Sequence, residues 1–439
     1  MSGAGFFELT EHLCAGLRAG EVLLCELDGE RSDFVRLNGN RIRQAGAVSR
    51  DGLGLTLIDA GRQVEGDCDL SGDPAADLAL ARDLLGRLRE RVAHVPEDPF
   101  LHYSTQPAES ERRVGGKLPE PGEVVGTLFT AAEGLDLVGI FASGTLAAGF
   151  ASSLGHRHWH ESASFNLDFS CYLRGDKAVK AGYGGFAWDP ERLREKLAHL
   201  RRDLDIMARS PRSIAPGRYR AYLAPAAVAE LLDLLAWGGF GLKDHRTCQT
   251  PLLRLTRGER ALDRRVTLIE EHARGLVPGF TGEGFALPAR VTLVAEGRYR
   301  DCLADARSAK EYGMTVNAAC EAPESLAMEP GDIPSDEVLA RLGTGLYIGN
   351  LWYLNYADRN DCRITGMTRF GTYWVESGEP VAPVEVMRFD DSLYRLLGDR
   401  LEGLTRERDL ILSPGTYDGR STASALLPGV LVGGISLAL

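Results

Sequence analysis

The sequence predicts an α+β protein of two domains, with helices and strands mixed in the first half and strands predominating in the second. Three observations carry this. The chain has 439 residues, more than one hydrophobic core usually organises, so two cores are expected. Phe165, Leu167, Phe169, Cys171 and Leu173 alternate with Asn166, Asp168, Ser170 and Tyr172, which is the period of a half-buried strand. Ser210-Pro-Arg-Ser-Ile-Ala-Pro-Gly217 reads as a linker, and strand-like runs outnumber helices beyond it. The expected domains are residues 1–212 and 217–439.

Taken in order, Phe7, Leu13 and Leu17 predict a short helix. Val22–Leu27 and Phe34–Ile42 then read as strands, with turn signals at Asp28-Gly29 and Asn38-Gly39. Leu53, Leu55 and Leu57 alternate as a strand should. From Pro74, Leu78, Ala81, Leu85, Leu88 and Val92 recur at helical spacing. Residues 94–123, rich in Pro, Glu and Gly, read as a surface connection. Leu135–Phe141 is an apolar strand, and the alternating strand ends at an expected turn, Arg174-Gly175-Asp176. Asp189-Pro190 opens a helix with Leu193, Leu197, Leu200, Leu204 and Met207 inward. After the linker, strands are expected at Tyr219–Leu223, Val291–Ala295, Leu346–Tyr356 and Thr372–Glu376, and helices at 225–237 and 391–404.

Composition narrows the function. The net charge of −12 and scattered arginine pairs argue against a nucleic-acid partner. No apolar run has the length of a membrane span, the first residues lack the pattern of a secretory signal, and a cytoplasmic address is expected. The 8 cysteines include no CxxC pair, as in a reducing compartment. No GxxxxGK[ST] loop is present, so nucleotide binding has no support.

The segment Leu-Ala-Pro-Ala-Ala-Val-Ala-Glu-Leu-Leu, 223–232, opens an amphipathic helix with Val228, Leu231, Leu232 and Leu235 on one face, ended by Gly238-Gly239. It resembles the entry to the metal-binding helix of the TldD/PmbA (TldE) family, also called modulators of DNA gyrase. Phe280-Thr-Gly-Glu-Gly-Phe, Arg290-Val-Thr-Leu-Val-Ala-Glu-Gly-Arg-Tyr, Gly345-Leu-Tyr-Ile-Gly-Asn-Leu, Arg363-Ile-Thr-Gly-Met-Thr-Arg, Val375-Glu-Ser-Gly-Glu and Val432-Gly-Gly extend the resemblance in order. Leu37-Asn-Gly-Asn-Arg-Ile and Asp51-Gly-Leu-Gly-Leu extend it more weakly into the first half.

The resemblance implies an α/β sandwich-like N-terminal domain, a β-rich, barrel-like C-terminal domain, and dimers that enclose unfolded peptides. In the family's catalytic members this helix continues as HExxxH, two His holding the metal and the Glu activating water. Here those positions are Asp233, Leu234 and Gly238, and 413–422 lacks the Cys of a third ligand. Leu and Gly side chains offer no lone pair and accept no proton. The resemblance therefore implies a TldE-like, non-catalytic subunit without a metal of its own, with zinc or iron in a TldD-like partner. Heterodimer and homodimer both stay open.

Peptide-facing candidates are His158, His160, Asn350, Arg363, Thr365, Arg369 and Glu376. In Gly155-His-Arg-His-Trp-His-Glu161, alternate histidines share one face of a strand. His156, His158 and His160 thus offer a rival reading, an independent metal-dependent hydrolase. Against it, three ligands along a straight strand lie too far apart to close a tetrahedron. Arg363, Thr365, Arg369 and Glu376 fall on and beside an expected hairpin, where they either clamp a peptide or pair across strands. A homodimeric peptide-binding protein without catalysis is the other alternative. Cys362 has no local His to activate it as a nucleophile.

Overall fold

The computed structural model describes residues 1–174, 177–417 and 419–438, so the turn expected at Gly175-Asp176 lies outside the described residues. The first half comprises α1 (Gly3–Cys14), β1 (Val22–Asn38), β2 (Arg41–Asp59), β3 (Arg62–Asp69), α2 (Pro74–Val92) and β4 (Glu109–Val114). It continues with α3 (Pro121–Ala131), β5 (Asp136–Ser152), β6 (Arg157–Arg174), β7 (Lys177–Gly185) and α4 (Pro190–Met207). Asp73 caps α2 by accepting from the amides of Ala75 and Ala76, and Asp189 caps α4 through Glu191. The strands are ordered β3-β2-β1-β5-β6, and the far edge of β6 pairs with β4 along one half and β7 along the other.

Alternation along β6 gives this sheet two different faces. Phe165, Leu167, Phe169 and Cys171 pack with α3 and α4, while Trp159 joins Leu23, Cys25 and Leu27 of β1 against α1 and α2. The opposite face carries His158, His160, Ser162 and Ser164, each at most 2% exposed. What buries it is the second half of the chain. His158 stacks on Phe280 with centroids 5.1 Å apart, and Asn166 Nδ2 donates to the Leu412 and Ser413 carbonyls.

The second half contains β8 (Gly217–Leu223), α5 (Pro225–Ala236), β9 (Leu268–Glu270), β10 (Val291–Ala295), β11 (Arg298–Tyr299), β12 (Ser325–Met328) and β13 (Gly345–Ile348). Then follow β14 (Trp352–Asp358), β15 (Arg363–Met367), β16 (Thr372–Glu376), β17 (Glu379–Pro383), β18 (Arg388–Ser392), β19 (Leu401–Leu412) and β20 (Ser424–Ala438). The main path is β11-β10-β9-β12-β20-β8-β13-β16-β17, with β18, β15 and β14 branching from β20. This sheet is open, which corrects the barrel-like expectation: among the described residues β11 and β17 end the path without pairing to each other. Its core gathers Val228, Leu231 and Leu235 of α5 with Leu223, Ile348, Ile364, Phe389 and Val432.

Several local expectations are corrected. Asp28-Gly29 is no turn, because β1 pairs through it with β2 and β5, and a Cβ on Gly29 would stand 3.0 Å from Asp51 Oδ1. Ile42 belongs to β2, since the chain reverses at Gly39-Asn40. In α1 the inward residues are Phe6, Leu9 and Leu13, and Leu17 lies past its end. Within 94–123, β4 is ordered by backbone pairing to β6, which leaves no apolar period to read. The run Leu346–Tyr356 breaks between β13 and β14. In place of a helix over 391–404, β18 gives way to a π-helical turn, Arg395–Asp399, and then β19. Gly398, at φ −120° and ψ −111°, ends that turn, although Leu393, Leu396, Leu397, Leu401 and Leu404 are all buried as expected.

Candidate functional site

Helix α5 begins without a side-chain cap at Ala224 and ends at Trp237, after which Gly238 takes φ +76°. Of the three positions that the resemblance singles out, Asp233 is exposed and Leu234 is half-buried. A Cβ on Gly238 would lie 2.3 Å from Arg359 Nη2 and 2.8 Å from Asp244 Oδ2. That guanidinium donates to the carbonyls of Trp237 and Gln249, and stacks against Trp237 and Tyr356. A cation therefore closes the helix end, complementing its dipole where a metal-binding His would stand. Of the three positions only Asp233 carries a donor atom, and one exposed carboxylate with a leucine, a glycine and a neighbouring guanidinium does not fit a metal ion. Among the described residues no group of three or more His, Cys, Asp or Glu is placed to hold one.

One turn earlier, Glu230 faces the first domain. Burial raises its carboxyl above the ordinary range, Lys180 draws it part of the way back, and Asp233 and Asp168 push it up further. Lys180 and Asp168, on β7 and β6, are 3.6 Å apart. This acidic group with one ammonium lines the junction between α5 and the polar face of the first sheet.

The histidines do not converge. His156 Nδ1 and Nε2 pair with the Ser152 and Ser104 hydroxyls at 2.7 and 3.0 Å. His158 Nδ1 meets the Ser110 hydroxyl at 2.7 Å, and His160 Nε2 meets the Leu276 carbonyl at 3.4 Å. His158 Nε2 and His160 Nδ1 are buried without a partner among the described residues. Burial lowers the proton affinity of all three rings. His158 and His160 thus belong to a domain interface rather than to an accessible peptide path.

The other candidates are dispersed. Asn350 is buried in the bend between β13 and β14. Arg363 forms a two-pronged pair with Asp390 of β18, and the Thr365 hydroxyl donates to the Phe389 carbonyl. Both are cross-strand ties. Glu376 accepts from Arg212 of the linker and from Trp374 Nε1. Cys362 is fully buried and its thiol is pushed up by burial, which makes it inert.

Arg363 and Glu376 are exposed but held by their partners, while half-buried Arg369 lies beside exposed aromatics, its guanidinium 4.4 Å from the Trp352 ring centre. It points to residues that sequence reasoning passed over. Among the described residues β14 pairs only with β15, and Trp352, Tyr353 and Trp237 are 39%, 72% and 68% exposed. Tyr356 donates its hydroxyl to the Leu234 carbonyl at 3.0 Å, tying β14 to α5. The signal lies in Trp352-Tyr-Leu-Asn-Tyr356, which by its composition reads as an ordinary strand. An unpaired strand edge flanked by exposed aromatics and by Arg359 and Arg369 is suited to hold extended polypeptide.

Fold and site together define a two-domain α+β protein whose helix α5, at the junction, bears no metal-ligand set. Residues 216–439 match the family described as PmbA/TldA metallopeptidase C-terminal domain, and the chain belongs to that family. TldE from Thermococcus kodakarensis shares the fold with a TM-score of 0.76 at 14% identity, over 99% of this chain and 100% of that one. A Thermotoga maritima protein assigned as a modulator of a DNA gyrase matches with a TM-score of 0.73 at 14% identity, with the same coverage. A further protein assigned as a modulator of DNA gyrase, from Bacteroides thetaiotaomicron, gives 0.66 at 16% identity, over 99% of this chain and 98% of that one. At these identities the likeness concerns the fold. No curated protein matches the sequence.

Proposed function

We propose that this chain is a non-catalytic subunit of TldE/PmbA type that pairs with a TldD-like catalytic subunit and forms part of the chamber receiving unfolded peptides. The observation that carries this reading is the end of α5. Asp233, Leu234 and Gly238 stand where a catalytic relative has His, Glu and His, and Arg359 fills the space beside Gly238. A positive guanidinium and an aliphatic side chain support neither metal binding nor activation of water. The zinc or iron of the complex belongs, in this reading, to the partner. The solved TldE among the fold relatives supports the choice of subunit type.

The free edge of β14 supplies the peptide contact. An extended segment bonds through its backbone there, while Trp352 and Tyr353 cover its side chains. A reducing, cytoplasmic setting accords with the eight described cysteines, all of which are free.

The test is hydrolysis of an unfolded casein fragment by the purified chain, dialysed against zinc and separately against ferrous iron. The expected result is no cleavage alone, with fragment binding weakened about fivefold in Trp352→Ala/Tyr353→Ala. Metal-dependent cleavage by the chain alone would sink the reading.

A further inference from the structure

We infer that the outer edge of β2 from Arg41 to Arg50 is a second docking surface, which accepts an acidic, extended segment of another polypeptide as an added strand. The inference does not rest on the peptidase reading, because it concerns a different sheet and a different edge.

The topology leaves this edge open. β1 pairs with β2 from Val22 to Asn38, whereas β3 covers the other side of β2 only from Gly52 to Asp59. The preceding ten residues, Arg41 to Arg50, are all exposed, and no other strand pairs with them among the described residues. Alternate backbone N–H and C=O groups of such a strand point outward and remain unpaired, which makes a template for another strand. Ile42 and Val48 are 51% and 39% exposed and offer apolar contact on that strand.

Folded proteins usually blunt an open edge with charges, proline or a bulge. Here the charges stand only at the flanks, Arg41 and Arg43 on one side and Arg50 on the other. Gln44-Ala-Gly-Ala-Val-Ser49 between them is uncharged, contains no proline, and pairs with β1 without a register shift. The blunting is incomplete where a strand would have to dock.

Charge identifies the occupant. From Phe34 to Arg50 the chain has arginines at 36, 41, 43 and 50 and no Asp or Glu, within a protein of net charge −12. Among the described residues Arg36, Arg41 and Arg43 form no ion pair, while Arg50 reaches Asp28 at 3.2 Å. A second copy is a poor fit. It would bring a second set of arginines, and between Phe34 and Arg50 no carboxylate, to the same edge, and like charges close together are destabilising. An unrelated segment with an uncharged, strand-forming centre and acidic flanks satisfies both the open backbone and the unpaired cations.

The test uses the full chain and a fluorescein-labelled peptide of alternating valine and threonine flanked by two glutamates at each end, read by fluorescence anisotropy. Lysine-flanked and alternately N-methylated versions serve as probes of charge and of backbone bonding. The acidic peptide is expected to bind, and each altered version about tenfold more weakly. Arg41→Glu/Arg43→Glu is expected to lose about tenfold as well, with unchanged circular dichroism, and Val48→Lys to weaken binding independently. Trp352→Ala/Tyr353→Ala is expected to leave this affinity unaltered, which separates the two edges. Absence of binding, indifference to N-methylation, or equal affinity in Arg41→Glu/Arg43→Glu would each overturn the inference.

Discussion

Gly238 is where backbone conformation and a neighbouring cation meet at one residue. At φ +76° it adopts a backbone conformation that a side chain resists, and a Cβ there meets the Arg359 guanidinium at 2.3 Å. Gly238→Ala should therefore cost about 1–3 kcal/mol of stability. In an Arg359→Ala background the cost should fall towards the roughly 1 kcal/mol of the backbone conformation alone. Urea unfolding of the four proteins measures this, and equal costs in both backgrounds would mean that the arginine does not fill the site. The apolar stripe of α5 was legible in the sequence, whereas the reading of Asp233, Leu234 and Gly238 as replaced ligands comes from the family resemblance alone. Arg359 was legible from neither, since it comes from a distant loop and no periodicity links the two segments.

Strand β6 shows the same division among elements. Its inward alternation, Phe165 to Cys171, was readable because one face meets helices. The polar residues that alternate with it, Asn166 to Tyr172, are half-buried, and those earlier on the same face, His158 to Ser164, are buried against the second half of the chain. A period of two identifies the two faces but not what covers the polar one. Arg420 is part of that cover. Its guanidinium donates to the Ser164 and Gly144 carbonyls at 2.7 and 2.9 Å, and its backbone amide meets Glu30 Oε2 at 3.3 Å. Burial draws the arginine down to about 10, against the pull of Glu30. Arg420→Met should cost about 1–3 kcal/mol by leaving the Ser164 and Gly144 carbonyls without their donor and removing the positive charge near Glu30, and Glu30→Gln should recover the part due to charge. Thermal unfolding of the single and double variants tests the coupling, which additive effects would refute. The missed helix over 391–404 has a related cause. Its leucines are buried, yet a spacing that suits a helix is also met by two strands joined through a π-helical turn.

Across the whole molecule, the two domains meet on a face rich in histidine, and this sets a pH dependence. Burial holds His156, His158, His160 and His272 below their ordinary value of 6.5. As pH falls through 6.5, the unfolded chain takes up protons that the folded chain resists, so stability declines. Glu270, which lies 3.7 Å from His272 and is raised by burial to about 7, works in the opposite sense between its ordinary 4.5 and that value. Seven other carboxyls that burial raises, Asp203 to about 6 among them, act in the same sense as Glu270, so the rings are read by difference. As pH falls from 6.5 to 5, the urea midpoint of the unsubstituted chain should lose ground relative to that of His158→Gln. An equal pH dependence in the two proteins would show that His158 titrates as it does in water. At this scale the resemblance read from the sequence also found its family, since ordered short motifs survive where pairwise identity is low.

The central claim, that the chain serves as the metal-free half of a peptide-processing pair, is most directly tested by its native company. Affinity purification of the tagged chain from its host, followed by mass spectrometry and metal analysis, should yield a second chain carrying HExxxH and one zinc or iron per pair. The metal should leave with that partner when the two are separated. A homodimer that retains stoichiometric metal and cleaves peptides would contradict the account.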